Sequence, residues 1–439
     1  MSKWLEIYIK NASDKIKEED GNGLCQYITI NPGVQEGNSR ARFPECTDFD
    51  LFSLPDKFRD VLRHYLKMMK AVYVNNDING SFESMMEMVN SLNRAAEWQT
   101  NWINRPLIMV TTELISLYKV KMKNFPETDD ASHDSSGEFE KKASTLERLA
   151  DTLHRLFRLA LNDKNPDLAF SKRVDIYFFL GNLIRMYFNL DRLELANSIE
   201  KALRGTRFQL PELSGALPTK KGAITYLYYS SLLSLDDGEF SVSEKKLEKA
   251  IELTSCYADP QRVKKQTEKL LLVYLPLKFY NARLMPGAKV WQQFPNLALI
   301  YQKNLFKALY EGNLKLYDEA LSRFQLILLK RHLYLLFELL RSLCFLQLIR
   351  RTVHILKPLS PDSTKSHIVP LSAIQLSLEI FSAQGPKEFR PFLFTINSVE
   401  CLLANLIAEG KIKAYISHAN HCLVLSKTNP FPKQVIVNS

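Results

Sequence analysis

The stretch Asn397-Ser-Val-Glu-Cys-Leu-Leu-Ala-Asn-Leu-Ile-Ala-Glu-Gly410, continued by Lys411-Ile-Lys-Ala-Tyr-Ile-Ser-His418 and Cys422-Leu-Val-Leu-Ser-Lys427, decides the fold. Val399, Leu402, Leu403, Leu406 and Ile407 recur at helical spacing, Asn397 and Glu400 stand at a capping-box offset, and Gly410 suits a left-handed stop. These features predict one short amphipathic helix. After the glycine the period falls to two: Ile412, Ala414 and Ile416 face one way and Lys411, Lys413 and Tyr415 the other. Leu423 and Leu425 alternate in the same manner after a four-residue turn from His418 to His421. A helix followed by a β-hairpin, with helices before it, is the end of a winged-helix domain.

Upstream, apolar positions at Leu146, Leu149, Ala150, Leu153, Leu156, Phe157, Ala160 and Leu161 form a nearly unbroken helical stripe. Helices at Val174–Leu190 and Leu193–Leu203 follow as a hairpin, and the pattern recurs through Tyr226–Leu235, Lys264–Phe279, Leu297–Tyr310 and Leu314–Leu329. Stacked pairs of this kind bury each repeat's stripe on its neighbour. The predicted fold is therefore all-α: a right-handed, tetratricopeptide-like helical-repeat superhelix capped by a winged helix with a small hairpin wing. Residues 1–50, rich in Gly, Asn and Pro, read as partly ordered, and 51–330 as the repeats, with a flexible polar loop at 124–143. Residues 331–432 read as the winged-helix part, with one long helix from His332 to about Leu356, and 433–439 as a tail.

Glu400-Cys401, Ala404-Asn-Leu-Ile407, Gly410-Lys-Ile-Lys413, Ala414-Tyr-Ile-Ser-His418 and Leu423-Val-Leu-Ser-Lys427 with Asn429-Pro-Phe-Pro432 resemble the closing motif of PCI-domain proteins. Those are helical subunits of the proteasome lid, the signalosome and a translation-initiation complex. Thr100-Asn-Trp-Ile-Asn-Arg-Pro106 and Leu161-Asn-Asp-Lys-Asn-Pro166 are similar to landmarks of one branch. That branch holds the signalosome's twelfth-subunit protein and the PCI subunit of the transcription-coupled mRNA-export complex. The chain departs from its pattern at Ala414, where glycine is expected, and at Leu346-Gln347, where Arg-Asn is expected. The resemblance implies a nuclear mRNA-export subunit, at the inner face of the nuclear pore and also in the cytoplasm. The implied partners are a larger helical scaffold protein, a small acidic disordered subunit, and RNA or duplex DNA. The alternative is a signalosome- or splicing-associated protein–protein adaptor that touches no nucleic acid.

Net charge is +10, and from Tyr301 onward 17 Lys and Arg stand against 9 Asp and Glu, so the surplus concentrates in the final third. A basic surface of this kind suits phosphate backbones or an acidic protein. The candidate contacts are Lys411, Lys413 and Lys427 on the hairpin, Lys433 after it, and Arg350-Arg351 and Lys330-Arg331 at turns of preceding helices. The outward positions of the Ser398 helix, Glu400, Cys401, Asn405 and Glu409, offer no cation to base edges, so sequence readout is not expected.

Six scattered cysteines without a Cys-x-x-Cys pair, and no N-terminal apolar run, point to a reducing intracellular setting. No apolar run reaches the roughly 20 residues that span a bilayer, so membrane insertion is not expected. No phosphate loop, His-Glu-x-x-His, Gly-x-Ser-x-Gly or dinucleotide fingerprint occurs, and neither enzyme activity nor a cofactor is expected. His418, His421, Cys422 and Cys401 fit no standard zinc spacing and read as turn histidines and free thiols. Trp4, Trp98, Trp102 and Trp291 read as core aromatics rather than base-stacking platforms.

Overall fold

The computed structural model describes residues 3–44, 46–125, 144–359, 367–382 and 394–432. The chain is helical apart from one small sheet, and it divides into two compact units, residues 1–233 and 234–439. The boundary expected at 330 falls inside the second unit, where the Leu314–Leu329 and Tyr334–Leu356 helices pack together. Most of the polar segment expected as a loop, from 126 to 143, lies outside the described residues, as does the tail 433–439 with Lys433.

In the first unit, residues 1–50 are more ordered than their composition suggested. They carry helices Lys3–Lys17, Gly21–Ile28 and Val34–Ala41. Leu5, Ile9, Leu24 and Ile28 are buried, and so is Arg40, which donates to the Gln26 and Tyr27 carbonyls and to the Tyr65 hydroxyl. The Gly21-Asn-Gly23 run opens a helix, because Asp20 accepts from the Gly23 amide at 2.8 Å and caps it.

The two landmark segments meet on a pair of short 3-10 turns, Leu168–Phe170 and Lys172–Asp175. Buried Asn104 donates to the Lys172 carbonyl at 3.1 Å and to Asp175 Oδ2 at 3.0 Å. Asp163 accepts from the Lys172 amide at 2.7 Å and from the Ser171 hydroxyl at 2.9 Å. A chain reversal buried in helices must satisfy its backbone locally, and these side chains do so.

Beyond the turns, Ile176–Asn189 and Leu193–Arg204 form the expected helical hairpin, and Lys220–Asp236 crosses the first of them very closely. A Cβ at Gly181 would lie 2.7 Å from the Tyr226 amide nitrogen, and one at Gly222 would lie 2.6 Å from Phe178 Cα. Buried Glu200 is satisfied by Ser230 Oγ at 2.6 Å and Arg204 Nη2 at 2.8 Å, so the crossing has a polar lock beside it.

The second unit pairs Phe240–Ser255 with Pro260–Ala282 and then departs from regular repeats. The expected helix Leu297–Tyr310 is π-helical over Ala298–Leu305 before it becomes Phe306–Glu311. Within it, fully buried Tyr301 stacks between Phe306 and Phe337, with ring centroids 5.1 Å and 6.0 Å away.

The winged helix consists of helices Tyr334–Leu356, Leu371–Ser382 and Ile396–Ala408 with strands β1 (Ile368–Pro370), β2 (Ala414–Ser417) and β3 (Cys422–Leu425). The turn lies at His418–His421 as the period implied, with Ser417 facing Cys422 and Ala414 facing Leu425. Gly410 takes φ +69° after the helix. The helix start differs from expectation: Thr395 is the cap, accepting from the Ser398 amide at 3.2 Å, which leaves Glu400 outside any capping box.

β1 was not expected, since it is three residues long and ends on proline, which gives almost no period to read. It pairs antiparallel with β3 through Ile368 and Val424, so the sheet order is β1-β3-β2. Of the hairpin's two edges, only that of β2 is unpaired among the described residues. No strand occurs before residue 330 among those residues.

Gly181→Ala and Gly222→Ala each push a methyl group into backbone that cannot swing aside. Each is expected to lower the unfolding free energy by about 1–3 kcal/mol, measured as a fall in urea midpoint. An unchanged midpoint in both would show that the helices separate without penalty.

Candidate nucleic-acid interface

Along the last turns of the Tyr334–Leu356 helix, Gln347, Arg350, Arg351 and His354 recur at intervals of three and four, and Lys357 follows one turn later. With Tyr310, Val353 and Phe431 they line an open cleft of about 470 Å³. Gln347 donates to the Tyr310 carbonyl at 3.1 Å, and Arg351 donates to the Glu311 carbonyl. Both acceptors lie in the last turn of the Phe306–Glu311 helix, whose carbonyls have no partner within the helix. Arg350, Arg351 and Lys357 bring three basic side chains to the cleft, and no carboxylate is among its described lining residues. The arrangement can hold a phosphate or carboxylate group.

The expected cations fall into three groups. Lys413 and Lys427 are exposed at the open end of the hairpin, where the Lys413 amide donates to the Pro430 carbonyl at 2.8 Å and the Ser426 amide donates to the Lys413 carbonyl at 2.8 Å. Phe431 follows directly and lines the cleft, so the chain runs from the lysines to Arg350 and Arg351. Lys411 is engaged elsewhere: its Nζ donates to Ser342 Oγ at 2.8 Å and pairs with Glu409. Lys330 and Arg331 sit beyond the opposite end of the same long helix, roughly 30 Å from Arg350 at the rise of an α-helix.

Arg350 and Arg351 lie inside the helix expected from His332 to about Leu356. His354 and Lys357 line the same cleft and were not singled out from the sequence, although the spacing from Gln347 onward carried the signal. The Leu346-Gln347 departure is benign, because Leu346 is buried and Gln347 caps a neighbouring helix. In the Asn429-Pro-Phe431 triplet Pro430 and Phe431 are half-buried, with the Pro430 carbonyl accepting from the Lys413 amide, while Asn429 is exposed. Trp291 is buried as core, but Trp4 and Trp98 are 75% and 78% exposed, and Lys57 Nζ lies 4.8 Å over the Trp98 ring. The turn histidines do not gather cysteines. His418 and His421 face Glu400 of the preceding helix, while Cys401 is exposed and all six cysteines are free.

The PCI domain family matches residues 321–427, which contain the cleft helix and the whole sheet. The Protein CSN12 homolog of Debaryomyces hansenii is 57% identical over 430 residues, covering 98% of each chain. COP9 signalosome complex subunit 12 of Eremothecium gossypii is 30% identical over 360 residues, or 81% of this chain and 83% of the relative. PCI domain-containing protein 2 of Danio rerio is 26% identical over 432 residues, or 98% and 97%. Since the likeness to the Debaryomyces protein runs through both units, the chain belongs to the CSN12 family of PCI-domain proteins.

Proposed function

We propose that the protein is a non-enzymatic adaptor that joins the other subunits of a signalosome-type complex. One observation carries the reading. Leu326, Ile327 and Leu329 at the end of one helix and Leu335 and Leu339 at the start of the next are all at least 40% exposed, on either side of a single turn. Large aliphatic side chains concentrated on a surface mark a contact site for another protein. The free edge of β2 adds a second means of attachment, by strand addition. Relatives of Eremothecium gossypii and Saccharomyces cerevisiae that bear the name signalosome subunit 12 support this assembly over an export complex.

Replacing Leu326 and Leu335 together with Glu is expected to abolish co-purification with the other complex subunits while the helical circular-dichroism signal stays at wild-type level. In the isolated wild-type chain the same surface should drive self-association, visible by light scattering and relieved by the double substitution. Intact co-purification of the variant would defeat the adaptor reading.

A second reading, nucleic-acid binding within an mRNA-export complex in the nucleus, is favoured by the cationic cleft alone. It requires that Arg350→Glu with Lys357→Glu weaken binding of the assembled complex to RNA or duplex DNA. The salt slope should fall by about one per lost phosphate contact. Lys413→Glu with Lys427→Glu should act in the same direction and Lys411→Glu much less, because Lys411 is already paired. Equal affinity across these variants in a salt series would leave the adaptor role without a nucleic-acid component.

A further inference from the structure

We propose that Glu400, His418 and His421 form a binding site for a divalent transition metal of the zinc class, one that clips the hairpin turn to the preceding helix. One ligand atom from each residue lies within 4.8 Å of the other two. His418 Nδ1 is 2.8 Å from Glu400 Oε2, and His421 Nδ1 is 3.7 Å from Glu400 Oε1. Around a tetrahedral zinc with bonds of about 2.0–2.2 Å, ligand atoms stand roughly 3.3–3.5 Å apart. The two separations, one to each carboxylate oxygen, lie on either side of that value, and rotation of the exposed imidazoles brings both rings onto one ion.

Glu400 Oε1 supplies an independent pointer. It is sealed from solvent and accepts no hydrogen bond among the described residues. A buried carboxylate oxygen without a donor is a costly arrangement, and a cation removes the cost. The carboxylate is held firmly by its helix, with the side chain 16% exposed, whereas the imidazoles are 76% and 54% exposed and can rotate to close the remaining gap. His421 takes φ +47°, and the four-residue turn between β2 and β3 presents both Nδ1 atoms to the same carboxylate.

Two imidazoles and one carboxylate are a donor set that zinc accepts, with the fourth position left to water or to a side chain of an assembly partner. An imidazole nitrogen must be free of its proton to bind the metal. Zinc therefore competes with protons and binds more weakly as pH falls. The cysteines take no part, since among the described residues the assembled ligands are Glu400 and the two histidines.

The test is titration of the full-length, metal-free chain with Co²⁺ as a spectroscopic probe and displacement by Zn²⁺. The expected result is one equivalent bound, with ligand-field bands of a four-coordinate nitrogen and oxygen set and no thiolate charge-transfer band. His418→Ala with His421→Ala, and separately Glu400→Gln, should weaken binding by at least the roughly 10- to 100-fold that loss of even an outer partner costs. Zn²⁺ should raise the melting temperature of wild type and of Cys401→Ser with Cys422→Ser, but of neither ligand variant. Should the histidine pair lose helical signal without metal, Glu400→Gln alone decides, since it keeps the shape of the side chain. No saturable binding by wild type, unchanged affinity in Glu400→Gln, or a thiolate band abolished by the cysteine substitutions would overturn the proposal.

Discussion

The C-terminal domain depends on the central strand β3. Leu423 and Leu425 point inward and are almost fully buried, while the backbone of the same four residues receives β1 on one side and β2 on the other. A strand paired on both edges leaves no backbone group without a partner, which is the condition for burying it against helices. Everything attached to the sheet inherits its position from that strand. The lysines at the hairpin's open end, Phe431 in the cleft, the unpaired edge of β2 and the histidines of the turn all keep their places through it.

Features that depend on period were legible in the sequence. The helix Leu314–Leu329 and the turn His418–His421 stand where the spacing of apolar residues placed them, because burying one face dictates the pattern along it. Features made by partners distant in the chain were not legible. β1 is a strand only because β3 lies beside it, and of the helices in residues 1–50 only the first, around Trp4, Leu5 and Ile9, shows an apolar pattern, while Gly21–Ile28 and Val34–Ala41 hold together through burial of Leu24 and Arg40. The π-helical turn at Ala298–Leu305 likewise belongs to the stacking of Tyr301 with Phe306 and Phe337, which no local rule foretells.

The cations show the same division. Counting charges located the basic third of the chain but could not tell a lysine facing water from one already engaged. Lys411 and Lys413 are two residues apart with the same side chain, yet the first reaches Ser342 and Glu409 and the second is exposed. A surface ion pair contributes little to stability, typically under about 1 kcal/mol. It does spend the charge locally, and the cation offers correspondingly less to a phosphate. The cleft at Arg350 and Lys357 escapes this loss because its described lining carries no acid and Arg351 donates to a neutral carbonyl.

The pairing of Ile368 with Val424 also sets a timetable for synthesis. A ribosome delivers β1 long before β3, and β1 has no ladder to join until β3 has cleared the exit tunnel. The Leu371–Ser382 helix can meanwhile settle on the Leu314–Leu329 and Tyr334–Leu356 helices, both made before it, so the sheet and the Ile396–Ala408 helix are the last parts to close. Premature termination between the two strands would strand β1 without its mate. Such a chain would reach the cell's quality control with most of its helices made and its last domain unable to close.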